Sequence, residues 1–401
     1  MNNVAGRPIF ETLPCIHGII GENAVSLFGK IRRTVKSLLG KRSSLALPGE
    51  GERPAYRDTL SAIHDLSRLV RNDPEAVDIY LALGNLFRAQ GDIERAVLIR
   101  EGLIARHGLN TQFKARSYFE LGQDYHRAGV IDRSLAAFRE AAKLGYPEAA
   151  VTAELADLYA SAGEFDKAAE EYGNLDHPLA QAHYIVRRAE EIASTGEQAR
   201  SEKLVRKSLR TYSGSVEGWS AITCMAALSR DWRRMTAHLE RALERITPKL
   251  RFLVLDALLE AQQKILSGDA SSEEKLDFAR KMAESVIPVL EKQEPHILLH
   301  YYGALLLKQA GDFEGVDIWL AKALVVQPNF WAARLEALKL SVDRHELPPV
   351  VGLQVGYLAE ELQYIKRFVC SVCGFRENQV FYRCRRCGSW HSISFRLSLQ
   401  E

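Results

Sequence analysis

"YLALGNLFRAQGDIERAVLIREGL" fills residues 80–103 and decides the fold, because its pattern returns twice. "YFELGQDYHRAGVIDRSLAAFREA" (118–141) and "TAELADLYASAGEFDKAAEEYGNL" (152–175) align with it without a gap. Each copy has a Leu-small pair: Leu83-Gly84, Leu121-Gly122, Leu155-Ala156. An aromatic follows (Phe87, Tyr125, Tyr159), then a glycine (Gly91, Gly129, Gly163), then a small residue (Ala96, Ser134, Ala168). The step is 38 residues, then 34.

This pattern predicts two antiparallel helices joined by a short turn. Gly84 and Gly122 fall mid-helix, where glycine costs about 1 kcal/mol against alanine, which makes sense where a second helix crosses tightly. The later glycines end the first helix in the left-handed cap conformation. Period, turn and packing residues match the tetratricopeptide repeat. Another copy, "HYYGALLLKQAGDFEGVDIWLAKALVVQP", spans 300–328, with Gly311-Asp312 as turn and Trp319 and Leu320 as packing residues. Between them the signal weakens. Gly196 is read as a turn, and Arg230-Asp231 stands where a turn glycine belongs. "PKLRFLVLDALLEAQQKIL" (248–266) and "EEKLDFARKMAESVIPVLEKQ" (273–293) read as one more hairpin. The expected architecture is all-α: roughly six to eight hairpins stacked as a right-handed superhelix. The array is placed at 55–347 and a linker helix at 348–367.

First-helix residues that do not pack are expected to face the groove of such an array. Asn85, Arg88, Gln123, His126 and Arg127 are of this kind. They read either as a clamp for the backbone or carboxylate of an extended peptide or as solvated polar positions. The sequence holds no Gly-rich phosphate loop, Gly-x-Ser-x-Gly or His-Glu-x-x-His. Acid pairs such as Glu170-Glu171 and Glu190-Glu191 read as solvated helix faces, and lone histidines such as His183 and His300 as satisfied helix residues. The expectation is a protein that is not an enzyme. In 401 residues, 53 Lys and Arg meet 51 Asp and Glu, a net charge of +2, so global charge gives no argument for a nucleic-acid or membrane partner.

Four of six cysteines crowd into "FVCSVCGFRENQVFYRCRRCGSW" (368–390) as two Cys-x-x-Cys pairs with ten residues between. Cys370, Cys373, Cys384 and Cys387 offer four soft thiolates at tetrahedral spacing, which suits one structural zinc with bonds of about 2.3 Å. The glycine after each pair lets the chain turn back so that amides point at the sulfurs. Iron in the same knuckles, or a dithiol switch, are the other readings. A hairpin is expected between the pairs, turning at Glu377-Asn378 with Val380–Tyr382 as a strand, and a last strand in "HSISF". So small a unit, 368–401, needs its metal to fold. The array, stabilised by neighbour interfaces, is expected to depend on it less. Arg376, Arg383, Arg385, Arg386 and Arg396 make the ribbon basic, a face for nucleic acid, an acidic protein or a lipid headgroup. Cys15 and Cys224 read as ordinary.

Residues 1–54 form a separate segment. In "NAVSLFGKIRRTVKSLLGKR" (23–42) Leu27, Phe28, Ile31, Val35 and Leu38 recur at helical spacing, with Lys30, Arg32, Arg33 and Lys36 between them and no acid present. Such a basic amphipathic helix fits an anionic membrane surface, or docking on the repeats or a partner. "SSLALPGEGERP" (43–54) reads as a flexible linker. No secretory signal or spanning run is visible, so the expected location is the cytoplasm, with peripheral contact to a membrane surface through 23–42.

Repeats ending in such a ribbon are an uncommon combination. "LALGNLFRAQGDIERAVLIREGL", "FVCSVCGF" and "CRRCGSW" resemble the opening repeat and terminal ribbon of the lipopolysaccharide assembly protein B family, and the similarity covers about 75–390. The resemblance implies an adaptor at the cytoplasmic face of the inner membrane that presents the deacetylase LpxC to the protease FtsH and so sets lipid A output. It also implies Cys370, Cys373, Cys384 and Cys387 as ribbon ligands. Family members begin with a single transmembrane helix, for which 23–42 would be a peripheral substitute here. The alternative function is a general repeat scaffold whose basic ribbon contacts nucleic acid or another partner.

Overall fold

The computed structural model describes residues 61–68, 76–268, 271–344, 348–362 and 365–398. The expected basic helix with Lys30, Arg32, Arg33 and Lys36 lies outside the described residues, as does Cys15. The chain divides at Leu175/Asp176 into two compact units, each described by itself.

In the first unit a helical stretch at 61–68 precedes three helix pairs: α1 (Val77–Gln90) with α2 (Ile93–Ile104), α3 (Thr111–Arg127) with α4 (Ile131–Lys143), and α5 (Glu148–Ser161) with α6 (Phe165–Asn174). Each first helix also packs on the next first helix. The turn chemistry is legible in the backbone. Gly91 closes α1 with φ 84°, its amide bonding Arg88 O, and Asp92 then caps α2 by accepting from the Arg95 amide. The tight crossing expected at Gly122 is present, since a Cβ there would lie 2.6 Å from the buried Phe138 ring. Ser134, the small residue opposite, donates its hydroxyl to Gly122 O at 2.8 Å.

The second unit continues with α7 (Pro178–Ser194) and α8 (Gln198–Thr211), α9 (Val216–Leu228) and α10 (Trp232–Arg245), α11 (Phe252–Leu266) and α12 (Ser272–Glu291), α13 (Ile297–Ala310) and α14 (Phe313–Val326), and α15 (Trp331–Asp343) and α16 (Pro349–Leu362). In the turn between α9 and α10, which lacks glycine, Arg230 itself takes the left-handed conformation at φ 55° and Asp231 caps α10. The expected hairpin of α11 and α12 is looser than its neighbours. α11 packs chiefly on α9 and α13, and α12 on α10 and α13. The reason is composition: α11 buries Phe252, Leu253, Val254, Leu255, Leu258 and Leu259, too many directions for one partner.

One further side of α11 is covered by the ribbon. Strands β1 (Phe368–Cys370), β2 (Arg376–Glu377) and β3 (Ile393–Phe395) form an antiparallel sheet in the order β2-β1-β3, with Phe368 opposite both Glu377 and Phe395. Val380–Tyr382 is not a strand, contrary to the expectation. Phe381 turns inward to 7% exposure, and only Arg383 pairs, in a single bridge to Trp390. The segment delivers side chains to the interior and Cys384 to the knuckle instead of forming a ladder.

Candidate metal centre and its docking surface

The two knuckles have the same construction. Gly374 and Gly388 each adopt φ 71°, and their amides bond Cys370 O and Cys384 O at 2.9 Å. The reversal aims the amides of Val372 and Cys373 at the Cys370 sulfur, and those of Arg386 and Cys387 at the Cys384 sulfur. Such donors favour thiolates. The sulfurs of Cys370 and Cys387 lie 3.7 Å apart, those of Cys373 and Cys384 3.6 Å, and all four within 4.8 Å of one another. A tetrahedral centre with metal–sulfur bonds of about 2.3 Å has edges of about 3.8 Å, so the residues fit one structural metal ion. Every ligand position is protein, which closes the site to substrate. Ser392 Oγ and Ser389 Oγ stand 3.2 Å from the sulfurs of Cys370 and Cys387, a second layer that orients the ligands. Cys224 stands apart, its thiol pushed up to about 12 by burial, as an inert core residue.

The ribbon does not stand free of the second unit. Phe368 stacks on Phe252 of α11 at 6.3 Å, and Phe395 meets Tyr301 of α13 at 5.9 Å and Phe330 beside α15 at 5.6 Å. Trp331 Nε1 donates to Arg396 O at 2.8 Å. At the other end Trp390 packs edge-on against His183 of α7 at 5.0 Å. Four odd-numbered helices, the first members of their pairs, thus meet the ribbon.

A charged bolt fastens the same surface. Glu217 of α9, 5% exposed, binds His391 Nε2 through both oxygens at 3.1 and 3.2 Å and His183 Nδ1 at 2.9 Å. Burial opposes the carboxylate, but the His183 and His391 bonds outweigh it and hold the carboxyl down at about 2. His391 sits at φ 48°, a conformation uncommon for a non-glycine residue, with its amide bonded to Tyr382 O at 2.8 Å. The sequence offered no signal for this cluster beyond the bare presence of the residues. His183, read there as a satisfied helix residue, is satisfied by Glu217.

Three of the five ribbon arginines are engaged within the ribbon, while Arg376 and Arg385 are exposed. Arg396 is 6% exposed and donates to Lys366 O, Arg383 lies over the Trp390 ring at 5.5 Å, and Arg386 reaches Cys373 O at 3.5 Å.

The five residues singled out as groove-facing fall in the first unit, where they engage other groups of the protein. Arg88 donates to Glu120 Oε2 at 2.6 Å, Asp124 Oδ1 at 2.9 Å and Asn85 Oδ1 at 3.0 Å. Gln123 donates to Glu154 at 2.6 Å, and His126 lies 3.0 Å from Ser161 Oγ. Arg127, at the end of α3, is exposed. A residue the sequence did not flag completes the network: Arg100, fully buried, donates to Asn85 and to Leu81 O. Burial pushes Asp124 up to about 6 despite Arg88 and Arg100 beside it, while in Glu120 the same arginines outweigh burial and lower the carboxyl. These side chains bind one repeat to the next.

Comparison with known proteins follows this division. Residues 368–394 match the rubredoxin metal binding domain family, and residues 57–105 and 119–175 match the tetratricopeptide repeat family. Lipopolysaccharide assembly protein B of Escherichia coli K12 is 21% identical over 341 residues, covering 81% of this chain and 82% of that protein, and the protein of strain O157:H7 is similar to the same extent. Among solved structures, MamA is 22% identical and covers 39% of this chain and 89% of its own, with a TM-score of 0.31. The C-terminal part of a repeat protein from Cytophaga hutchinsonii is 13% identical over 69% and 93% of the two chains, with a TM-score of 0.37. Scores this low carry no argument. The repeats, the ribbon and a likeness spanning four-fifths of the chain support the family that the motifs suggested: the chain carries tetratricopeptide repeats and a rubredoxin-type metal ribbon and is similar to lipopolysaccharide assembly protein B over most of its length.

Proposed function

We propose that this chain is a non-enzymatic adaptor in lipopolysaccharide assembly that brings the deacetylase LpxC to the membrane protease FtsH at the cytoplasmic face of the inner membrane. The observation that carries the reading is the pairing of repeats and ribbon in one chain, in the order and over the extent of the Escherichia coli proteins named for this assembly. The geometry supports a scaffold. A zinc ion held by four thiolates supplies folding energy, and here that energy is delivered to a ribbon already seated against the repeat helices. Repeat arrays use their surfaces to hold proteins, and the residues of this one that are tied internally, such as Arg88 and Arg100, give it a fixed shape. Among the described residues no helix is long and apolar enough to cross a membrane, so contact with a membrane protease rests on the segment 23–42 or on the protease itself. Affinity purification from native cells with the membrane fraction retained tests the proposal. It expects FtsH or LpxC with the bait, and slower LpxC turnover when the chain is deleted. A bait that carries only RNA or unrelated proteins, with LpxC turnover unchanged, would overturn it.

A further inference from the structure

A cleft of about 340 Å³ opens in the second unit between α8, α9 and α10, far in sequence from the ribbon. Its apolar walls are Leu209, Ile222 and the Trp219 ring, whose Nε1 is turned away to Ser213 O at 2.8 Å. Its polar lining is cationic: Lys203, Arg206, Arg210, Arg241 and the ring of His238. Arg234 adjoins it. Helix α8 brings Lys203, Arg206 and Arg210 to one side because they stand three or four residues apart, and α10 brings His238 and Arg241 in the same way.

The charges here are not balanced. Glu202 draws Arg206 and Arg234 together, with Oε1 at 2.7 Å from one guanidinium and 2.6 Å from the other. Among the described residues no carboxylate stands within ion-pair distance of Lys203, Arg210 or Arg241. Contrast Arg88, whose guanidinium faces two carboxylates. A cleft lined by one sign of charge over apolar walls focuses its field on counter-ions. An independent observation points the same way. His238 Nε2 is buried and has no hydrogen-bond partner. Burial lowers the proton affinity of this ring, and Arg206, Arg234 and Arg241 lower it further. A buried ring nitrogen without a partner calls for an explanation, and an anion oxygen accepting from Nε2–H supplies one.

We propose that this cleft is a binding site for a phosphate-bearing group of headgroup size, its oxygens taken by Lys203, Arg210, Arg241 and His238 and its carbon portion laid on Trp219. Phosphate is favoured over a lone carboxylate because several donors converge from two helices, more than a carboxylate's two oxygens use. The site does not depend on the adaptor reading, and it involves neither the ribbon nor the first-unit network.

The test uses the full chain with its metal and two probes: inorganic pyrophosphate by titration calorimetry, and sedimentation with vesicles of phosphatidylglycerol in phosphatidylcholine. The double variant Arg210→Glu, Arg241→Glu is compared with Arg280→Glu, a charge reversal on exposed α12 away from the cleft. Saturable pyrophosphate binding that falls at least about tenfold in the double variant, the scale of losing two charge-assisted contacts, supports the site, as does Arg280→Glu staying at wild-type affinity. Vesicle binding lost in the same variant identifies a lipid headgroup as the source of the phosphate, while pyrophosphate binding without vesicle binding identifies a soluble one. Absence of saturable binding to both probes, or equal loss in both variants, overturns the proposal.

Discussion

Replacing Glu217 with glutamine keeps the shape of the side chain and removes its charge from between His183 and His391. The carboxyl is held at about 2 against an ordinary 4.5. At 1.36 kcal/mol for each tenfold, that difference corresponds to about 3 kcal/mol, shared between the bond to His183 within the repeats and the bonds to His391 on the ribbon. The His183 bond survives undocking, so the His391 share, about 1.5 kcal/mol, is what favours the docked ribbon. Solvent screening subtracts little, since the residue is 5% exposed. The apolar contacts are larger in total: Phe368, Phe395 and Ile393, nearly fully buried, each contribute about 2 kcal/mol. The ribbon of Glu217→Gln is therefore expected to stay docked but to open about tenfold more often. Native-state hydrogen exchange of the β1 and β3 amides reads this directly. The sign with pH follows from a depressed carboxyl: its contribution is complete above 4.5 and is lost as pH falls toward 2. Wild type and variant should thus differ by a constant factor at neutral pH and converge in acid. Exchange rates in β1 and β3 that match wild type within about threefold at pH 7 would refute the claim that this carboxylate fastens the ribbon.

Gly122→Ala places a methyl 2.6 Å from the buried Phe138 ring, and overpacking of this kind costs about 1–3 kcal/mol, so calorimetry should show a lower Tm; an unchanged Tm would mean that the ring can move aside. Arg230→Gly relieves a left-handed conformation that costs an ordinary residue about 1–2 kcal/mol while adding about 0.5–1 kcal/mol of glycine entropy, for a net gain of about 0.5–1 kcal/mol in denaturant titration, and destabilisation would contradict the turn geometry. Cys384→Ser leaves three thiolates around an open site, so metal content measured on the purified chain should fall from about one ion to a small fraction, and retention of the ion would exclude the four-sulfur centre.

What could be read from the sequence was what repeats locally. Glycine at φ 84° after α1 and 78° after α13, aromatics beside it and a small residue opposite are all set within one hairpin, so spacing alone reveals them. The knuckles are likewise local, each closed within five residues by its glycine. Longer-range pairing was not legible. Arg88 looks the same on a helix face whether it meets solvent or the next repeat, and its partners Glu120 and Asp124 stand one repeat on, 32 and 36 residues away. Glu217 and His391 are 174 residues apart, and nothing in the pattern around either residue points to the other. Val380–Tyr382 has strand composition, yet aromatic burial and the delivery of Cys384 decide its course.

The ribbon's place changes what the metal is for. From sequence the array should depend little on it, because stacked hairpins support one another. In the second unit this holds only if each helix finds its partners among neighbouring helices, and α11 does not. Its apolar residues point in more directions than α9 and α13 cover, and Phe252 is fully buried with Phe368 and Phe395 against it. Tyr301 and Phe330 owe part of their cover to Phe395 as well. An unfolded ribbon would uncover these aromatics along three first helices, and each exposed ring forfeits about 2 kcal/mol. Sulfurs that hold the metal therefore also hold Phe368, two residues before Cys370, and Phe395, paired to it across β1 and β3. Loss of the metal is therefore expected to reach the array through those two rings and to loosen the second unit around α11.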